Sequence, residues 1–171
     1  MKKKLTLLMV AFLTLTAFAA TMAIKKVTDV PAAVTGDFHW EEATSIAAGD
    51  VVLIAVDNGN VTKELGGLST TATVYGVATD YTGTPAGLYP LTVEAGSTTR
   101  TFAFKNGDTY LNWTSGNSLT AGETKDANAS WTVTFADGKA SIVNTADNTR
   151  NLMYNAGSPR FACYNIPTRR Q

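Results

Sequence analysis

The sequence predicts an all-β domain of antiparallel strands, and three observations predict it. Short runs rich in β-branched and aromatic residues alternate with period two, as in Thr101-Phe102-Ala103-Phe104 and Trp131-Thr132-Val133-Thr134-Phe135. Asn58-Gly59, Asn106-Gly107 and Asp137-Gly138 each stand between two such runs, where the dipeptide accepts the positive φ of a type I′ hairpin turn. No segment after residue 50 keeps an apolar stripe at helical spacing for three turns.

The first 23 residues read differently from the rest. Lys2, Lys3 and Lys4 precede an apolar stretch from Leu5 to Ala19. Ala17-Phe18-Ala19 has the small-x-small pattern of a signal-peptidase site, and Thr21-Met22-Ala23 offers a second. A membrane-spanning helix needs about 20 apolar residues, so the run is short for an anchor. No cysteine stands near the site to take a lipid. Residues 1–23 are therefore expected to be a cleaved leader. The protein is then exported, as a secreted, periplasmic or cell-surface chain with no membrane span after cleavage.

Three of the 14 basic residues lie in the leader and none of the 14 acidic ones, which leaves a mature net charge of −3. That balance excludes the basic footprint of a nucleic-acid binder and the basic face that holds proteins on anionic lipid. Cys163 is the only cysteine, so no intramolecular disulfide can form. It shares a strand face with Phe161, which marks it as a packed residue rather than a nucleophile.

Residues 24–48 read as an extension or linker, with Ile24 to Thr35 as linker or loose first strand and Glu41 to Ser45 as a short turn. The domain proper is expected over 49–171. Val51 to Val56 is a continuous apolar run, fit for a strand buried on both faces. Threonine is abundant, as on the wet face of antiparallel sheets.

The hairpins repeat. Leu53 to Asn58 leads through a turn to Lys63-Glu64-Leu65-Gly66. Thr101 to Asn106 leads to Tyr110-Leu111-Asn112-Trp113, and Ala140 to Asn144 leads to Asn151-Leu152-Met153-Tyr154. Each is an apolar strand ending in Asn, then a turn, then a strand centred on Leu, with the Asn at 58, 106 and 144. Pro90 to Gly96 and Ser130 to Gly138 introduce the second and third units. Three units of about 40 residues point to a β-trefoil-like barrel, or to a small antiparallel barrel or sandwich whose hairpins resemble one another. Leu111 is followed 20 residues later by Trp131. The same distance from Leu152 falls near residue 172, so the closing strand of the third unit is expected to be missing; either the chain is a fragment or the domain completes itself by other means.

Several segments carry a resemblance: Gly49 to Ile54, Ala129 to Val133, Arg150 to Asn155, and Pro159 to Tyr164. Together they resemble a β-rich accessory module of secreted and surface proteins from gut-type Gram-negative bacteria. Residues 66–100 match only loosely. The resemblance implies export and a place beside catalytic or adhesive domains in longer chains. It also implies a further apolar-aromatic strand after Tyr164, which this sequence lacks.

No catalytic constellation is legible. His39 is the only histidine, and beside Glu41 and Glu42 it reads as a solvated group. There is no Gly-x-Ser-x-Gly, no His-Glu-x-x-His and no phosphate-binding context for Gly66-Gly67. Asp57, Asp108, Glu123, Asp126, Asp137 and Asp147 fall in or near turns, where Asp satisfies local backbone groups. No cofactor or metal is implied.

The expected function is a non-catalytic accessory or adhesion-type module, with a glycan or another surface protein as partner. The alternative is a carbohydrate-binding module using Tyr110, Asn112 and Trp113. Sugars present C–H groups on one face and hydroxyls at the rim, which suits aromatic rings beside Asn. The competing assignment puts Trp113 in the core. A ricin-like lectin also carries Gln two residues before its repeat Trp, where this chain has Ala129. Arg150, Arg160, Arg169 and Arg170 read as a solvated basic end.

Overall fold

The computed structural model describes residues 22–27, 40–57, 62–80 and 89–165. The leader stretch 1–21, Asn58-Gly59, His39, Arg169 and Arg170 lie outside them. Among the described residues the chain is all-β, with 13 strands and no helix. In chain order these are β1 (Met22–Val27), β2 (Trp40–Glu42), β3 (Val51–Asp57), β4 (Thr62–Leu68), β5 (Gly76–Asp80), β6 (Leu91–Ala95) and β7 (Phe102–Asn106). They continue with β8 (Thr109–Asn112), β9 (Thr120–Gly122), β10 (Trp131–Ala136), β11 (Lys139–Asn144), β12 (Arg150–Asn155) and β13 (Arg160–Asn165). The sheet runs β2-β1-β3-β4-β5-β13-β12-β11-β10-β7-β8-β9, and β6 pairs with both β3 and β7; every pairing is antiparallel.

The turn chemistry is realised in two ways. Asp137 and Gly138 both take positive φ, 52° and 73°, and join β10 to β11 as a type I′ turn requires. The Asn106-Gly107 hairpin sits one residue later than expected. Asn106 pairs with Thr109, so Gly107 and Asp108 form the loop, and only Gly107 has positive φ. That is the pattern of a II′ turn, whose first central position favours Gly. Gly66 and Gly67 mark the register shift between β4 and β5.

Side-chain alternation builds the core. Val52, Ile54 and Val56 of β3 join one cluster with Leu91, Val93, Phe104, Trp131, Ile142, Phe161 and Cys163. The three repeat leucines, Leu65, Leu111 and Leu152, all enter it. Across the strand pairs, Met22 faces Val56, Val93 faces Phe104, and Val133 faces Ile142. Trp131 is wholly buried and its indole Nε1 donates to the Leu111 carbonyl at 3.1 Å, tying the third unit to the second.

One expectation needs revision. The sheet begins before residue 49, because Met22 to Lys26 pair residue for residue with Val56 to Val52, and Met22, Ala23 and Ile24 are buried. Of the linker and first-strand readings of Ile24 onward, strand holds for 24–27; residues 28–39 lie outside the described set. β6 bridges β3 and β7, and β10 bridges β7 and β11. β1 is thus paired in the sheet with β3 and lies near β11.

Gly76 sets how closely β5 approaches β13. A Cβ there would collide with Leu65, with the Phe161 Cβ (2.8 Å) and with Leu119 (3.1 Å). Gly76→Ala is expected to cost about 1–3 kcal/mol by overpacking, read as a lower melting temperature. An unchanged melting temperature would mean that β13 can yield.

Candidate functional site

The residues singled out for ligand binding lie on the β7–β8–β9 hairpins. Tyr110 is opposite Lys105 on β7 and Gly122 on β9. Its hydroxyl donates to Glu94 Oε2 on β6 at 3.1 Å, and Lys125 Nζ donates to the same oxygen at 2.9 Å. Lys105 stands 3.7 Å from the other carboxylate oxygen. The two ammonium groups lie 5.6 Å and 5.9 Å from the Tyr110 ring centre, within cation–π range. The Lys125 hydrogen bond, with help from Tyr110, holds Glu94 below the usual carboxylate range despite some desolvation. The result is a half-buried aromatic ring inside a polar cluster of one carboxylate and two ammonium groups.

Asn112 is two residues on and half-buried. Its Oδ1 is buried without a hydrogen-bond partner, and its Nδ2 lies close against the backbone of Gly122. Trp113 belongs elsewhere. It packs against the core cluster, its Nε1 donates to the Gly116 carbonyl at 3.0 Å, and the Arg150 guanidinium lies 5.7 Å from its ring centre. The structure thus separates the three residues: Tyr110 joins the Glu94 cluster, whereas Trp113 joins the core and Arg150.

The arginines form contacts that composition does not show. Arg150 Nη1 donates to Asn117 Oδ1 at 3.2 Å, and Arg150 Nε lies 3.5 Å from Asp147 Oδ2 without hydrogen-bond geometry. Arg160 lies 5.4 Å from the Tyr75 ring centre, and its Nε donates to the Tyr164 hydroxyl at 3.3 Å. Asn155 Nδ2 donates to the same hydroxyl at 3.0 Å. Reading Arg150 and Arg160 as merely solvated missed these partners, because Trp113 and Tyr75 are distant in sequence.

Several other titratable groups among the described residues are engaged in structure. Cys163 is fully buried, and loss of hydration pushes its thiol up to about 12, with Arg150 opposing only weakly. It is expected to resist iodoacetamide in the native protein and to react fully once urea unfolds the chain, as read by intact mass. Rapid native alkylation would contradict the buried position. Asp126 Oδ1 accepts from the Asn128 and Ala129 amides at 2.9 and 3.2 Å, and Asp147 Oδ1 accepts from the Thr149 amide at 2.9 Å. Burial raises Asp50, but bonds from Lys26 (2.7 Å) and the Ala47 amide (2.8 Å) outweigh it and hold the carboxyl low. Among the described residues, no three or more His, Cys, Asp or Glu gather to hold a metal ion, and no helix is long and apolar enough to cross a membrane.

The most unusual polar pair was not legible in the sequence. Glu64 is wholly buried on β4, opposite Ala55 and Thr79. Its Oε1 accepts from Lys25 Nζ of β1 at 3.1 Å, and its Oε2 has no hydrogen-bond partner. Burial pushes its carboxyl above the ordinary value, and Lys25 offsets this only in part. The repeat pattern placed Glu64 beside Leu65 but carried no sign of Lys25, which lies 39 residues earlier.

No family model, no curated protein and no solved structure matches this chain.

Proposed function

We propose that this chain is an exported, non-catalytic accessory or adhesion-type module on a β-trefoil-like plan, with a glycan or another surface protein as its partner. The plan is supported by the threefold recurrence of one pairing scheme. In each unit a first strand pairs with a second, which turns into a Leu-centred third and then a fourth: β1-β3-β4-β5, β6-β7-β8-β9 and β10-β11-β12-β13. First and second strands of successive units also pair, β3 with β6 and β7 with β10, while β1 lies beside β11. The resemblance to accessory modules of secreted bacterial proteins agrees with export.

One observation supports the non-catalytic reading: among the described residues, several groups with reactive chemistry are engaged in the fold. Cys163 is buried with a raised pKa, Asp50, Asp126 and Asp147 hold turns, and Glu94 is bound by Tyr110 and two lysines. The test is to assay the exported protein against panels of hydrolase substrates and of immobilised glycans and surface proteins. Saturable binding without turnover supports the module. Turnover that disappears in His39→Ala overturns it.

A carbohydrate-binding reading is favoured by a single feature, the unpartnered Asn112 Oδ1 beside the Tyr110 cluster. It expects Tyr110→Ala to abolish glycan binding with the melting temperature nearly unchanged. Retained binding in a folded Tyr110→Ala protein would remove these residues from the site.

A further inference from the structure

We propose that the leader is removed at the Ala19–Ala20 peptide bond and not after Ala23. This rests on the export reading above, and it names the processing site that export would use. In the reaction, water adds across the bond, leaving a carboxyl group on Ala19 and a free amino group on Ala20. The sequence alone offers two candidate bonds, because Ala17-Phe18-Ala19 and Thr21-Met22-Ala23 both place small residues one and three positions before a cut.

Strand β1 separates them. A cut after Ala23 would discard Met22 and Ala23, which are 5% and 3% exposed and stand opposite Val56 and Ala55. Met22 belongs to the main core cluster. The new chain end would then be Ile24, which is 0% exposed, faces Ile54 and accepts the Ala43 amide on its carbonyl at 2.8 Å. An α-ammonium group at that point would be a charge placed inside the sheet, and burying an unpaired charge is costly. A cut after Ala19 leaves all of β1 in place and puts the new chain end two residues before Met22 in the sequence. Cleavage acts on the chain before it folds, so the sheet does not shield either bond. The preference lies in the product, since only the longer one keeps the pairings of Met22 and Ala23 with Val56 and Ala55 of β3.

The experiment is to express the full chain in a Gram-negative host and determine the intact mass and N-terminal sequence of the exported fraction. Two variants accompany it, Ala17→Tyr and Thr21→Tyr, each blocking one site through its small-residue requirement and neither altering β1. The expected parent product begins at Ala20. Ala17→Tyr is expected to keep its leader, and Thr21→Tyr to be cut like the parent. A parent product beginning at Ile24, with cleavage lost in Thr21→Tyr, overturns the inference and leaves export standing. An uncleaved parent retained in the cytoplasm overturns export, and the inference with it.

Discussion

Trp131→Ala is expected to cost about 3–5 kcal/mol, the range for deleting a large buried aromatic side chain. The indole is fully buried, and its residue stands opposite Asn144 on β11 and Phe102 on β7. Truncation removes the packing between the second and third units and leaves the Leu111 carbonyl without the Nε1 donor. Domains of this kind have about 5–15 kcal/mol of net stability, so the variant should be largely unfolded or melt far below the parent. Trp131→Phe keeps much of the volume but not the donor, and should fall between the two. A circular-dichroism melt decides the matter. A Trp131→Ala melting temperature within about 2 °C of the parent would show that the units do not depend on this contact, since one kcal/mol moves a domain of this size by a few degrees.

The second large effect concerns Lys25 and Glu64. Breaking a buried pair from one side costs about 3–5 kcal/mol, because the remaining charge stays buried without compensation. Lys25 is 18% exposed and Glu64 is not exposed at all, so Lys25→Met, which strands the more deeply buried partner, should cost about 3 kcal/mol at neutral pH. The pH dependence follows from the raised Glu64 pKa. The folded protein holds this proton more tightly than the unfolded chain. The stability from that proton is fully present below the ordinary carboxylate value near 4.5 and is lost as pH rises through the higher folded value. Removing Lys25 raises the folded value further. The Lys25→Met deficit should therefore be large at about pH 7.5 and shrink towards about pH 4.5, as read by urea denaturation at both. An equal deficit at both pH values would mean that Lys25 acts through packing alone. The double variant Lys25→Met/Glu64→Leu should recover most of the loss, because apolar replacement of a buried pair is often neutral or stabilising.

The pH effects of the other carboxylates have the opposite sign. Asp50 and Glu94 are held below their ordinary values, so their contribution is present above those values and lost as pH falls through the folded ones. Acid should therefore weaken the Asp50 turn and the Tyr110 cluster while relieving Glu64.

What was legible in the sequence follows from the range of each signal. The run Val51 to Val56, the alternation in Trp131 to Phe135 and the Asp137-Gly138 turn are set by neighbouring residues, and the structure places strands and a turn there. The leucines at 65, 111 and 152 were readable as equivalent because each follows its own turn at similar spacing, and all three are core. The candidate site was less legible. That Tyr110 and Asn112 face away from Leu111 follows from strand alternation. That Glu94 and Lys125 bind the Tyr110 hydroxyl, and that Arg150 covers Trp113, does not.

The sequence by itself therefore determined the all-β class and most of the strands, because side-chain period and turn φ are properties of a few consecutive residues. Only the tertiary structure decided that β1 belongs to the sheet beside β11, that Lys25 meets Glu64, and that Trp113 is packed while Tyr110 is paired. Each of those outcomes depends on which distant strand becomes a neighbour. That choice is made by burial and by charge compensation across the whole core, and it leaves no periodic mark on the residues that make it.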